Sequence, residues 1–545
     1  MATTNDPAVL AVDLGTGGPK IALVSLRSQA IEAVHHRVEP RVSASGAALQ
    51  DPADWWRAVV EGTRELVAQH PGTVAELVAV AVTGQWGSTV PVDAAGEATG
   101  ECMLWMDTRG GPLARGVLGG RVSVEGFRPR SILEWIRRAG GAPSTEGNDP
   151  LGHRLWIQHE EPQLYARTAK FLEPLDYLNA RFTGRVAASQ TSMLLSWLTD
   201  NRRLGQSDYD PVLVRLAAAD PRRLPPLVPT GSTVGTVTQQ VADELGLPPD
   251  LPVLTALPDL LSATLGTGGI GMYQTHLSIS TSAWVGCHTP TKRTSIAKQM
   301  ATVPSALGDC YVLANNHETA GVCMEWARNL LVDPADELTE PVRSSLPEID
   351  RVAATAASGS GGVLFAPWLN GERSPVANAD LRGGFHNLSL ATTRADLLRS
   401  VLEGVAHNNR WLLEESESVL KRPLSAGARS SRPTIGSRPR NPAGELRVIG
   451  GGAQSDLWCQ IHADVLGRPV QRVAEPLLAN VRGAAFFAGL SLGIMERSEV
   501  AERVPLERLF TPDPRAQKVH EAMHREFVRL HRMERGMYGR LAELR

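Results

Sequence analysis

The sequence has little cysteine, no surplus of either charge and no long apolar run, and each shortage removes a class of function. Its 545 residues include five cysteines, Cys102, Cys287, Cys310, Cys323 and Cys459, scattered and never in a CxxC pair. That argues against a disulfide framework and a thiolate zinc site, and it favours a reducing compartment. A formal net charge of -3 gives no field that selects nucleic acid or an anionic membrane. No apolar run approaches the roughly 18 residues of a membrane span. The start, MATTNDPAVLAVDLG, lacks the basic segment, apolar core and small-residue cleavage site of a secretory leader. A cytoplasmic protein without membrane or nucleic-acid partners is therefore expected, with monomer and homodimer both open. No Gly-Lys pair occurs, so the P-loop pattern is absent, and GxGxxG fails because Lys20 stands where its third glycine belongs. His317-Glu318 lacks the second histidine of HExxH. Gly489 to Gly493 fits GxSxG only inside the helical run GAAFFAGLSLG, not on a strand-to-helix elbow.

What is present is an ordinary globular composition, 42% hydrophobic and 21% charged. At about 100–200 residues per domain, the chain forms at least two domains. Val9 to Val12 and Ile21 to Val24 read as strands around a glycine-rich turn. Asp51-Pro52 opens a helix, as an N-cap followed by proline at the first helical position. Leu77 to Val82 reads as a buried strand, Leu155 to Asn179 as mainly helical, and Pro514 to Arg545 as an amphipathic helix. A second strand-turn-strand unit, THLSIS, Thr281-Ser282 and AWVGCH, matches the opening one in kind and suggests two similar facing domains. Residues 423–445, rich in Ser, Pro, Gly and Arg, read as a surface insertion.

Five motifs carry chemistry, and each has a plain structural alternative. In Asp13-Leu14-Gly15-Thr16-Gly17-Gly18-Pro19-Lys20, glycines admit a phosphate to the backbone N–H groups. Thr16 and Lys20 add donors, and Asp13 can hold Mg²⁺ through water. By itself the stretch is also a hairpin turn. Gln85 and Trp86, then Trp105, Asp107 and Arg109, combine polar planar groups with aromatic faces, which suits sugars. They also fit an Asp–Arg surface pair beside a buried tryptophan. Asp259 lies between a strand and a helix, where it is either an N-cap or a general base at the ligand crevice. Gly450-Gly451-Gly452-Ala453-Gln454-Ser455 after the strand Leu446–Ile449 allows close ligand approach, or simply a tight turn. Gly371-Glu372-Arg373-Ser374-Pro375 says only that a polar loop follows an apolar run.

Taken in order, these elements are more specific than any one of them. DLGT, GQ, WxDxR, EPQLYARTAKFLEPLDYLNARFTG, the Asp259 element, the hydroxyl turn, GERSP, LEGVAHN and GGGAQSDLWCQIHADVLGRPV run across about residues 8–495. The series resembles the FGGY family of carbohydrate kinases, in a xylulokinase-like form. The resemblance implies an α/β fold of two actin-like ATPase (ribonuclease-H-like) domains with an interdomain cleft. It implies domain boundaries of 1–252, 253–511 and a C-terminal helix at 512–545. It implies ATP and Mg²⁺, and a small sugar or polyol as acceptor. Asp259 falls at the catalytic base, also touching substrate and metal, with Asp13 as the other metal carboxylate. Asp13, Gly15, Thr16, Gly17, Gly18 and Lys20 fall on the first phosphate loop, and Ser280, Thr281 and Ser282 on the second. Gly451, Gly452, Ala453 and Ser455 fall on the adenosine side, and Gln85, Trp86, Trp105, Asp107 and Arg109 on the sugar side. The expected function is phosphorylation of a ketopentose such as xylulose, with a catalytically impaired sugar or nucleotide sensor as the alternative. Ser280 stands where the family usually has glycine, and Pro258 and Leu260-Leu261 flank the base where glycine and polar residues are usual. Trp86-Gly87 follows the GQ step where xylulokinase-like members carry Met-His, and Gly18-Pro19 replaces a serine and an apolar residue.

Overall fold

Two hairpins seed two sheets of the same design in the computed structural model, which describes residues 6–124, 126–334, 343–424 and 445–544. The first hairpin pairs Ala8–Gly15 with Gly18–Ser25, closing at Gly15 opposite Gly18. Gly18 has φ +111° and lies under the His36–Val38 backbone, so a side chain there would be both strained and obstructed. The second hairpin pairs Thr275–Ile279 with Ala283–Thr289.

The two sheets then repeat one pairing pattern. The first strand of each hairpin pairs in parallel with a later strand, Leu77–Gly84 in one sheet and Leu446–Ile449 in the other. Beyond it lies another parallel strand, Pro252–Leu254 or Val470–Val473, and then an antiparallel one, Thr233–Thr236 or Leu506–Phe510. On the other flank, Ile31–His35 and Tyr311–Ala314 pair antiparallel with the hairpins' second strands. Six strands thus share an order and a set of directions. This is the duplicated core of two actin-like, ribonuclease-H-like domains facing a cleft.

The halves meet at two helices, Asp259–Gly266 and Ala479–Ser491. A Cβ on Gly266 would collide with the Ala479 carbonyl, and one on Gly483 with the Ser262 carbonyl, so the pair packs backbone to backbone. Helix Ala479–Ser491 also packs on Ala8–Gly15 and Leu77–Gly84. One buried apolar cluster therefore unites Val9, Ala11 and Ala79 with Leu261, Ala263, Val481 and Phe486. Arg482, fully buried between the halves, donates to the Ala474 carbonyl at 2.8 Å.

Local readings hold where local chemistry dictates. The Asp51 side chain accepts from the Ala53 N–H at 2.9 Å and caps helix Pro52–Gln69, with Pro52 at its start. The stretch 155–179 is mainly helical, interrupted by short connections and the strand Lys170–Leu172, which pairs with Val90–Val92. Helix Pro514–Ala542 packs on Arg394–Leu420 and Asp456–Leu466. Of the expected insertion at 423–445, residues 425–444 lie outside the described residues. All five cysteines are buried and free. Among the described residues, no helix is long and apolar enough to cross a membrane.

Candidate active site

The crevice forms where strands of both sheets end, at Gly15, Gly84, Pro258, Ile279 and Ile449. Asp13 and Asp259 lie at these strand ends, near enough for the charge of Asp13 to act on Asp259. Asp13 is 2% exposed, and its Oδ2 accepts from Lys20 Nζ at 3.4 Å and from Asn480 Nδ2 at 3.3 Å. Asp259 is not the N-cap of its helix. Pro258 holds that position, and Asp259 is the first helical residue, its Oδ1 accepting the Leu260 N–H at 2.7 Å. Its carboxyl keeps some access to the crevice yet is enclosed by protein. Burial, with the like charge of Asp13 next, pushes its pKa up to about 7.

A chain of side-chain bonds links the first hairpin turn to Gln85 and Trp105. Trp105 Nε1 donates to Thr16 Oγ1 at 3.2 Å, and Thr16 Oγ1 donates to Gln85 Oε1 at 3.1 Å. Gln50 ties this chain to the backbone, donating from Nε2 to the Thr16 and Val38 carbonyls at 2.7 and 2.8 Å. Gln50 was invisible to motif reading because it lies 34 residues from Thr16. Gly17 is exposed with open space around it, whereas Gly18 is buried. The open part of the turn is thus Gly15 to Gly17.

The Trp86 step rests on a buried acid that the sequence did not single out. Glu173 accepts the Ser88 N–H at 3.2 Å and also the Gly87 N–H, and Ser88 Oγ accepts the Trp105 N–H at 2.9 Å. Burial raises the Glu173 carboxyl well above the usual range, with Asp176 next in effect. Gly87 has φ +80°, and a Cβ there would stand 3.0 Å from Leu195 Cδ1. Asp107, expected among the sugar contacts, is fully buried and has no free face. It accepts the Ala48 N–H at 3.0 Å and the Arg109 guanidinium at 2.7 Å, so it holds Arg109 rather than meeting solvent. Arg109 in turn lies 3.9 Å from the centre of the Trp156 ring.

The second turn, Ser280 to Ser282, closes with the Ser280 N–H donating to the Ser282 carbonyl at 2.8 Å. Ser280 is not among the residues with positive φ, so its Cβ adds no strain where the family usually has glycine. Gly450, with φ +90°, passes directly beneath: a Cβ there would stand 2.5 Å from the Ile279 carbonyl and 2.8 Å from Ser280 Oγ. Gly451 is exposed, while Gly452 and Ala453 are buried. Ser455 caps the helix Asp456–Leu466, its Oγ accepting the Trp458 N–H at 3.0 Å, and it also bonds Asp350. Its hydroxyl is therefore engaged in the fold.

Duplicated α/β domains with two small-residue turns around a buried acid pair define an actin-like phosphotransferase. The comparisons with known proteins narrow this. Residues 8–266 match the N-terminal domain and residues 262–492 the C-terminal domain of the FGGY family of carbohydrate kinases. The chain belongs to that family and is a carbohydrate kinase. It is 27% identical over 517 residues to a xylulose kinase of Staphylococcus epidermidis, covering 94% of each chain. It is 22% identical over 555 residues to a gluconokinase of Bacillus subtilis, covering 98% of each. A gluconate kinase structure from Lactobacillus acidophilus superposes with a TM-score of 0.81 at 20% identity, over 98% of this chain and 100% of that one.

Sugar kinases of this family use ATP, generally with Mg²⁺. The acid pair fits such an ion. Burial first, and then the like charge of Asp13, raises the Asp259 carboxyl, and a divalent cation would remove that repulsion. Among the described residues no group of three or more His, Cys, Asp or Glu forms a metal cage. One or two carboxylates plus water and phosphate oxygens are the usual surroundings of Mg²⁺.

Proposed function

We propose that this kinase transfers the γ-phosphoryl group of ATP to a hydroxyl of a small uncharged sugar, with a ketopentose such as xylulose as the favoured acceptor. The observation that carries the choice is the charge balance of the sugar side. Gln85, Trp86 and Trp105 are uncharged, Arg109 is neutralised by Asp107, and Lys20 faces Asp13. A sugar acid would bring a carboxylate to which neither of these two paired cations is free, and burying an unpaired charge is costly. The 27% identity to a xylulose kinase supports the same choice.

In this reading the sugar lies against Gln85, Trp86 and Trp105, and the phosphates of ATP lie between the turns at Gly15–Gly17 and Ser280–Ser282. The adenosine lies toward Gly451–Ala453. Asp259 takes the proton from the attacking hydroxyl as the new O–P bond forms and the bond to the ADP oxygen breaks. Asp13 and Asp259 would hold Mg²⁺, which would supply charge neutralisation to the phosphates. Lys20 and Asn480 orient Asp13 from one oxygen. Closure of the two halves about helices Asp259–Gly266 and Ala479–Ser491 excludes water, which would otherwise accept the phosphoryl group.

The test is the ratio of kcat/KM for D-xylulose to that for D-gluconate, with other ketoses, aldoses and polyols alongside. A ratio well above one supports an uncharged acceptor. Preference for gluconate would overturn the charge argument while leaving the chain a carbohydrate kinase.

A further inference from the structure

The GERSP element, which by composition says only that a loop is present, surrounds a saturated buried carboxylate. Glu372 is 3% exposed. Its Oε1 accepts the backbone N–H groups of Glu318 at 3.0 Å and Arg373 at 2.8 Å. Its Oε2 accepts from Asn408 Nδ2 at 2.7 Å and lies 3.1 Å from His317 Nδ1. The neighbouring cation is spent elsewhere: Arg373 Nε donates to Glu318 Oε1 at 2.8 Å. An ionised carboxylate buried without a strong cation is costly, and an apolar replacement of the same shape is often neutral or better for stability. Packing alone therefore gives weak reason for this residue.

What Glu372 holds is the segment behind the second hairpin turn. The His317 N–H donates to the Ala283 carbonyl at 2.8 Å, Ala320 N–H to the Thr281 carbonyl at 2.9 Å, and Gly321 N–H to the Ser280 carbonyl at 2.7 Å. Three carbonyls of the turn and its exit are thus fixed by residues 317–321. Ser374 N–H pins the start of that segment through the Asn316 carbonyl at 3.1 Å. A side chain on Gly321 would collide with the Ser280 carbonyl, so the segment sits directly against the turn. Thr281 is left exposed.

We propose that Glu372, with His317 and Asn408, is a positioning residue that holds the Ser280–Ser282 turn in the shape that grips the nucleotide's phosphates. Carboxylate, imidazole and amide form the anchor, residues 317–321 form the strut, and the turn is the part presented to ATP. This rests on the reading that the Ser280–Ser282 turn binds phosphate, and the experiment separates the two.

Isothermal titration of the full chain in Mg²⁺ buffer would measure affinity for ATP and for adenosine, with KM for the sugar taken separately. Glu372→Gln keeps the shape but turns an amide donor toward Asn408 and His317. It is expected to weaken ATP about tenfold, the scale of one lost hydrogen bond to a charged group, while adenosine affinity and sugar KM stay as in the parent. Asn408→Ala, which removes one donor, is expected to move in the same direction and carries the test if Glu372→Gln does not fold. The double variant Thr281→Val, Ser282→Ala tests the underlying reading. If it loses ATP affinity while Glu372→Gln and Asn408→Ala keep it, the positioning role is wrong. If it keeps ATP affinity, the phosphate reading itself is wrong. Equal losses for ATP, adenosine and sugar in Glu372→Gln would show a general structural role and also overturn the proposal.

Discussion

The pH dependence of turnover follows from the placement of Asp259. Burial and the Asp13 charge hold its carboxyl at about 7, so the carboxyl proposed as the base, ordinarily ionised throughout the neutral range, is only half ionised near pH 7. The proton-accepting form is the anion. Mg²⁺ between the two carboxylates would remove the Asp13 repulsion but not the effect of burial, so in Mg-ATP kcat/KM should fall toward acid pH with its inflection at or below 7. Asp13→Asn removes the like charge, and the inflection of its residual activity should move to lower pH. The stability effect has the opposite sign to the activity effect. The folded state holds this proton more tightly than the unfolded chain, so the contribution of Asp259 to stability is greatest below about pH 4 and declines as pH rises to about 7. Asp259→Asn, neutral at every pH, should therefore unfold no more easily than the parent at pH 8 while losing about 10²–10⁴ in turnover. Initial rates at sub-saturating sugar from pH 5.5 to 9, with thermal unfolding at pH 8, read both effects. A flat profile of kcat/KM across that range would refute the reasoning.

Other consequences follow from the packing and burial of individual residues. Gly483→Ala forces a methyl group into the Ser262 carbonyl and should destabilise the fold by about 1–3 kcal/mol or more, read by chemical denaturation. Glu173→Ala frees the Gly87 and Ser88 N–H groups and should raise the sugar KM about tenfold with the ATP KM unchanged in steady-state kinetics. Buried imidazoles at His153, His462 and His520 are each held down to about 4 by burial. They are neutral in the fold, so their contribution is complete above about pH 6.5 and is lost as pH falls toward 4. Melting temperature should drop steeply across that window, and His462→Gln should shallow the slope.

The sequence shows what neighbours in the chain decide. Asp51-Pro52 announces its helix because a cap and its N–H partner lie two residues apart. Leu446–Ile449 and both hairpins are legible because apolar strands flank small turn residues. The strand Lys170–Leu172 is not, since three residues with no periodicity gain their state only by pairing with Val90–Val92. The same division runs through the site. The glycine and hydroxyl turns and Asp259 carry visible chemistry, whereas Gln50, Glu173 and Asn480 matter through partners 34, 85 and 467 residues away. Asp107 shows the converse. Its motif suggests a ligand contact, and only the structure shows it fully buried and paired with Arg109. At Ser280 the sequence shows the residue change but not the backbone conformation, which the structure places outside the positive-φ region.

The most direct test of the central claim is mass-spectrometric detection of a phosphorylated product when the purified protein is given Mg-ATP and D-xylulose. Xylulose phosphate and a matching quantity of ADP are expected from the parent chain, and at least a hundredfold less from Asp259→Asn with its fold intact. Equal product from both proteins, or ATP hydrolysis that does not depend on sugar, would contradict it.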